Sequence, residues 1–171
     1  MLDGERNQIF EGWIGAHKAI LFKVARAYGM SHADREDLFQ EIALQLWHSV
    51  EAFRGDAAPT TWIYRVALNT AMTWRRKERK HGSGRQDLDA VSGLLAEPEI
   101  RDPRLEWIYG RIAELDEVNR SLALLMLDGF SYREMAGILG ITESHVGVKI
   151  SRIKMALAAQ LTTEALHHES R

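Results

Sequence analysis

Five cations fall within the six residues Arg75-Arg76-Lys77-Glu78-Arg79-Lys80. A run of this kind can hold phosphates, and a helix carrying it would set one charged side against a polyanion. Upstream, Arg65, Asn69, Met72, Arg76 and Arg79 recur at three- and four-residue steps, which continues the basic side back toward Thr60. Ile63, Val66, Thr70 and Thr73 or Trp74 mark a second side able to pack inward. Taken alone, a charge run reads as an ordinary solvated face. A second basic stripe later in the chain argues for more.

That stripe lies in SYREMAGILGITESHVGVKISRIKMAL, which starts at Ser131. Ser131 and Glu134 have the spacing of a capping box, so a helix should open there with Met135, Ala136 and Leu139 facing in. Gly140 stands where a sharp turn needs a positive φ, and Thr142 can cap a second helix. Val146, Ile150 and Leu157 would face the first helix, and small Ala136 allows the two to cross closely. Short helix, glycine turn and longer helix make a helix-turn-helix. Its outer side offers His145, Lys149 and Arg152 and, beside them, Thr142, Ser144 and Lys154, side chains suited to base edges and phosphates.

A third stripe has the opposite character. Asp37, Gln40, Glu41, Leu44 and His48 recur at helical steps, acidic and amide-rich with an apolar residue in the middle. DNA would repel Asp37 and Glu41, whereas a protein surface suits the mixture.

These stripes need helices to carry them. The first helix is expected from about Asn7 to Tyr28, with Phe10, Trp13 or Ile14, His17, Ile20 or Leu21, Val24 and Tyr28 inward. Gly29 would end it in the left-handed conformation. His17 reads as a core histidine, since no second histidine lies at metal-site spacing. Ser31 or Asp34 can cap the next helix, about Arg35 to Phe53, with Leu38, Ile42, Leu46, Val50 and Phe53 inward. Arg54 to Pro59 is a tight connection, and Thr60 should cap the basic helix. Residues 82–101, rich in Gly, Pro and acids, read as a linker. Asp102-Pro103 opens the second compact part, where Leu105, Ile108, Ile112 and Leu115, then Val118, Leu122 and Leu125, form apolar stripes.

The expected fold class is all-α: two small helical domains, 1–81 and 102–171, joined by a flexible linker, the second a helix-turn-helix. The chain has 171 residues, 46% of them hydrophobic, enough to bury two small cores. It has no cysteine, which excludes disulfides, thiolate zinc sites and cysteine nucleophiles. No apolar run reaches bilayer length, and MLDGERNQIF lacks the basic-then-apolar order of a signal peptide, so a cytoplasmic protein without membrane insertion is expected. The net charge is −2, so charge is sorted by location and not uniformly basic. No HExxH, glycine-rich phosphate loop or facing carboxylate pair supports a hydrolase, and Glu114 and Asp116 are too generic to count. No catalytic residue, cofactor or metal is expected, and His167-His168-Glu169 reads as a frayed polar tail.

Several motifs in sequence order resemble the extracytoplasmic-function sigma factors of bacterial RNA polymerase. Asp34-Arg-Glu-Asp-Leu-Phe-Gln-Glu41 is similar to that family's D-A-E-D-L-x-Q-E segment. Phe53-Arg-Gly, Trp62-Ile-Tyr-Arg and Val66-Ala-Leu-Asn69 resemble F-R-G…W-L-Y-R-I-A-x-N, and Asp128 to Ala136 resembles D-G-x-S-Y-x-E-I-A. Val146, Ser151 and Arg152 fall on the V-K-x-R-L-S-R pattern, while Gly147 and Lys149 depart from the usual Lys and Arg, and Ile153-Lys154 from Ala-Arg. The resemblance implies a non-catalytic promoter-specificity subunit that directs promoter recognition, melting and initiation. It assigns Asp37, Gln40, Glu41 and Leu44 to core RNA polymerase. Arg54, Thr61, Trp62, Arg65, Asn69, Arg75, Arg76 and Arg79 go to minus-ten promoter DNA, with the Phe53–Thr61 loop a candidate pocket for a flipped base. Thr142, Ser144, His145, Lys149, Arg152 and Lys154 go to minus-thirty-five DNA. An anti-sigma factor is a further implied partner. The alternative from the residues alone is a stand-alone helix-turn-helix regulator.

Overall fold

The computed structural model describes residues 3–81 and 102–169, and among these every regular element is helical. The expected linker, 82–101, lies outside the described residues. The helices are α1 (Asp3–Tyr28), α2 (His32–Ser49, followed by a 3₁₀ turn Val50–Ala52), α3 (Pro59–His81), α4 (Pro103–Glu114), α5 (Glu117–Leu127), α6 (Tyr132–Leu139) and α7 (Glu143–Glu169). The chain divides into two compact units, Met1–Tyr109 and Gly110–Arg171, so the division falls within α4.

In the first unit α1, α2 and α3 pack against one another. Leu21, Val24 and Tyr28 of α1, Leu38, Ile42 and Leu46 of α2, and Ile63, Tyr64 and Leu68 of α3 are buried together as its core. Ser31 is the cap of α2: its hydroxyl accepts the Asp34 N–H at 3.1 Å and the Asp34 carboxylate accepts the Ser31 N–H at 3.1 Å. Asp34 is therefore the reciprocal partner, not the cap, and α2 begins before Arg35. It also ends earlier than Phe53, at Ser49, because the chain tightens into a 3₁₀ turn there.

Three further expectations are corrected. α1 begins at Asp3, not near Asn7. Its first turns are held by the α2 end: the Trp47 indole N–H donates to Asn7 Oδ1 at 2.8 Å, Arg6 lies 3.9 Å over the Trp47 ring, and Arg6 pairs with Glu51 at 3.1 Å. Gly29 does not take a positive φ; the described glycines that do are Gly55, Gly129 and Gly140. Glycine is needed at 29 for close approach, since a Cβ there would meet Arg35 Cγ at 2.7 Å, Arg35 N at 2.9 Å and Ala25 O at 3.0 Å. α3 starts at Pro59, with Trp62 N–H donating to Ala58 O at 3.1 Å, so Thr60 is inside the helix and not its cap. Proline suits the first helical position because its missing N–H would have had no partner there.

These glycines make a paired prediction for the full chain in denaturant unfolding. Gly29→Ala should lose about 1–3 kcal/mol, because two of the three clashing atoms are backbone and cannot swing away. Gly12→Ala and Gly15→Ala should each gain up to about 1 kcal/mol, since both lie inside α1 with nothing within 4 Å of an added Cβ. Equal effects at the three positions would contradict this geometry.

In the second unit α5 and α6 pack on α7 and on each other. Ile112, Leu122, Leu124, Leu125, Met135, Ile138, Val146, Ile150 and Ile153 are buried. Asp102 opens α4 by accepting the Arg104 N–H at 2.9 Å, and Asp116 caps α5 by accepting the Asn119 N–H at 3.0 Å. Leu105 is 44% exposed and Leu139 and Leu157 only half-buried, against expectation; Ile138 and Ile153 fill the inward places. The helix also continues through Glu169, past the expected frayed tail, although the side chains of His167, His168 and Glu169 lie outside the described residues.

Candidate functional site

The helix-turn-helix forms as its residues dictate. Ser131 accepts the Glu134 N–H at 3.2 Å, and the Glu134 carboxylate accepts the Ser131 N–H at 2.7 Å. The Ser131 backbone N–H, and after it the hydroxyl, holds Glu134 below the usual carboxylate range. A depressed carboxylate contributes stability that is present above its ordinary pKa and lost as pH falls through the lower folded value. Gly140 ends α6 at φ 68°, its N–H donating to Ala136 O at 2.9 Å. Two residues later Thr142 accepts the His145 N–H at 3.2 Å and starts α7.

On α7, Thr142, Ser144, His145, Arg152 and Lys154 are exposed and Lys149 is half-buried. The Thr142 hydroxyl is engaged as the helix cap. At about 100° per residue, Lys149 and Lys154 fall on opposite flanks and Arg152 near the outer line, with Val146, Ile150 and Ile153 beneath. Val148 stands on that outer line too, 49% exposed. Among the cations and hydroxyls of that side it is the apolar member, and its place midway between the inward Val146 and Ile150 is the sequence signal for it.

On α3 the inward residues are Ile63, Tyr64, Ala67, Leu68 and Ala71. The expected inward residues Val66, Thr70 and Trp74 are half-buried and Thr73 is exposed, so the packed side is turned by about one residue. The small Ala67 and Ala71 let α3 approach its neighbours closely. The outer side presents Asn69, Arg76, Lys77, Arg79 and Lys80, with Thr61, Arg65 and Arg75 half-buried and Arg54 exposed in the preceding loop. Trp62 is held inward: its indole N–H donates to Ser49 Oγ at 3.1 Å, Ser49 Oγ donates to Leu46 O at 2.8 Å, and its ring lies 5.6 Å from Phe53. Phe53 in turn meets Trp13 edge-on at 5.2 Å. This aromatic chain fixes the loop between α2 and α3, and Ser49 was not read as part of it.

On α2, Asp37 and Leu44 are exposed and Gln40 and Glu41 half-buried, with Glu41 Oε1 accepting from Gln45 Nε2 at 2.9 Å. The acidic stripe of Asp37 and Glu41 and the basic run from Arg75 to Lys80 thus lie on different helices of the same three-helix unit. Among the described residues no cluster of His, Asp and Glu could hold a metal ion, and no helix is long and apolar enough to cross a membrane.

Residues 11–81 match the family model of sigma-70 region 2, and residues 105–157 that of sigma-70 region 4. The ECF RNA polymerase sigma-E factor of Escherichia coli K12 is 30% identical over 138 residues, 72% of each chain. The chain belongs to the sigma-70 family, in its extracytoplasmic-function group. It is a sigma factor that directs transcription initiation. The sigma factor CnrH of Cupriavidus metallidurans is 26% identical over 164 residues, 89% of this chain and 86% of that one. Among solved structures, CnrH in complex with the cytosolic domain of CnrY has a TM-score of 0.65 at 22% identity, covering 92% of this chain and 90% of that one. The sigma factor RpoE in complex with the anti-sigma factor NepR, from Bartonella quintana, has a TM-score of 0.69 at 20% identity, covering 91% and 98%. Both share the all-helical fold.

Proposed function

We propose that the three stripes divide the work of promoter recognition. Asp37, Gln40, Glu41 and Leu44 hold core RNA polymerase. Arg54, Thr61, Arg65, Asn69, Arg75, Arg76 and Arg79 grip the minus-ten element. Trp62 serves the same grip by fixing the loop, because Ser49 already takes its N–H. The Phe53–Thr61 loop receives a flipped base, whose extrusion costs a few kcal/mol that stacking must offset. In residues 102–171, Arg152 and His145 face base edges while Lys149 and Lys154, on opposite flanks, reach phosphates on the two sides of a major groove. Thr142 and Ser144 add contacts at the helix start. The observation that carries this reading is the sorting of carboxylates onto α2 and cations onto the outer sides of α3 and α7.

The subunit has no catalysis of its own and works in the cytoplasm, the polymerase supplying the chemistry. Two weak grips on one tether gain strength through effective concentration only when something positions both, and the polymerase is that frame. One solved relative is bound to an anti-sigma factor; a partner of that kind would silence this chain by covering the same stripes.

Run-off transcription with and without core polymerase tests the reading. Initiation should require both proteins, and the free chain should bind duplex promoter negligibly. Tight binding to a palindrome without core would mark a stand-alone regulator instead. Within the complex, Arg152→Ala should weaken upstream-element binding by about 1–3 kcal/mol; promoter strength unchanged in a titration of holoenzyme would remove Arg152 from base reading.

A further inference from the structure

α7 carries an apolar side chain where its recognition surface is most prominent. At 3.6 residues per turn, Val148 lies within about 15° of the direction opposite the buried Val146, Ile150 and Ile153. It therefore projects more directly outward than His145 or Lys149. Its neighbours one turn away on the same side, Ser144 and Arg152, are exposed, and Val148 itself is 49% exposed. A single valine on a protein surface is ordinary. Here it is flanked by Lys149, Arg152 and Lys154, so the surface that contains it is complementary to a polyanion. It also sits in the first two turns, the part of a recognition helix that meets base edges. Met155, 67% exposed on the same line, lies two turns farther along and past that part.

The apolar feature that a major groove offers is the 5-methyl group of thymine. A branched aliphatic side chain cannot hydrogen-bond to any base edge, but it can cover that methyl and exclude water from it. We infer that Val148 is a specificity-determining residue, reading a thymine methyl in the upstream element through contact between the two apolar groups. This rests on the assignment of α7 to upstream promoter DNA, and it adds the base chemistry which that assignment left open.

The test uses holoenzyme assembled from the full chain and core polymerase. Bound duplexes are selected from a promoter library randomised in the upstream element, and each selected thymine is then replaced by deoxyuridine, which lacks only the methyl. One position should bind roughly fourfold less tightly with deoxyuridine, the worth of one methyl-sized burial. In Val148→Ser holoenzyme that difference should vanish, while in Arg152→Ala holoenzyme it should persist on a weaker overall affinity. Selection of no thymine, tolerance of deoxyuridine at every position, or the same penalty in Val148→Ser would overturn the inference. So would a Val148→Ser loss of core binding on all templates, which would make Val148 a protein contact. Absence of any promoter-dependent binding by the holoenzyme would instead overturn the sigma assignment of α7, and this inference with it.

Discussion

Asp37→Arg combined with Gln40→Ala should reduce association with core polymerase by about a hundredfold or more, since like charges brought together at an interface cost several kcal/mol. Asp37 is exposed on α2, one residue from the fully buried Leu38, and Gln40 is half-buried beside Ile42. Neither contributes to the packed side formed by Leu38, Ile42 and Leu46. The pair of changes leaves that packed side in place, so the free subunit should keep its helical fold. Pull-down of core polymerase by the variant measures the loss, with circular dichroism reporting the fold. Capture at the original level would reassign the acidic stripe, and loss of helicity would mean that the stripe also holds the unit together.

What was legible in the chain was local chemistry. Ser131 with Glu134 specifies the start of α6, and Gly140 and Thr142 the two ends of the turn between α6 and α7, each acting within four residues of itself. Asp102 before Pro103 likewise announced α4. The phase of α3 was harder. Ala67 and Ala71 are fully buried but only weakly apolar, while Val66 and the β-branched Thr70 suggested a side they do not form. Thr70 has a local alternative, its hydroxyl donating to Val66 O at 2.7 Å. The start of α1 depends on Trp47 and Glu51, which lie some forty residues away in sequence, so no local pattern could announce it. The end of α7 escaped for another reason: beyond Leu157 the apolar stripe fades into Ala158-Ala159-Gln160, residues that favour helix without needing a packed face. At the candidate site, residue types were readable and their directions were not. The type of Trp62 was readable but not that Ser49 takes its N–H, and Val148 drew no notice until α7 placed it on the outer line.

Arg120→Ala should destabilise the second unit by about 1–3 kcal/mol, because it would leave two part-buried carbonyls without their donor. Arg120 is only 5% exposed, and its Nη2 donates to Ala113 O at 2.7 Å and to Leu115 O at 2.9 Å. These carbonyls close α4 and enter the short joint before α5, at the negative end of the α4 dipole, where a cation is favoured. The apolar stripe of Val118, Leu122 and Leu125 has no place for an arginine, which is why its role does not appear in the sequence. Arg120→Lys should recover only part of the loss: it keeps the charge but lacks the planar fork that spans two acceptors. Hydrogen exchange on the full chain resolves the effect, with protection falling for amides of α5, α6 and α7 while those of α1 to α3 keep theirs. Because α5 packs on α7, a looser α4–α5 joint should also weaken upstream-element binding uniformly across DNA sequences. A sequence-specific change would place Arg120 in base reading, and unchanged protection in Arg120→Ala would mean that water replaces the guanidinium at no cost.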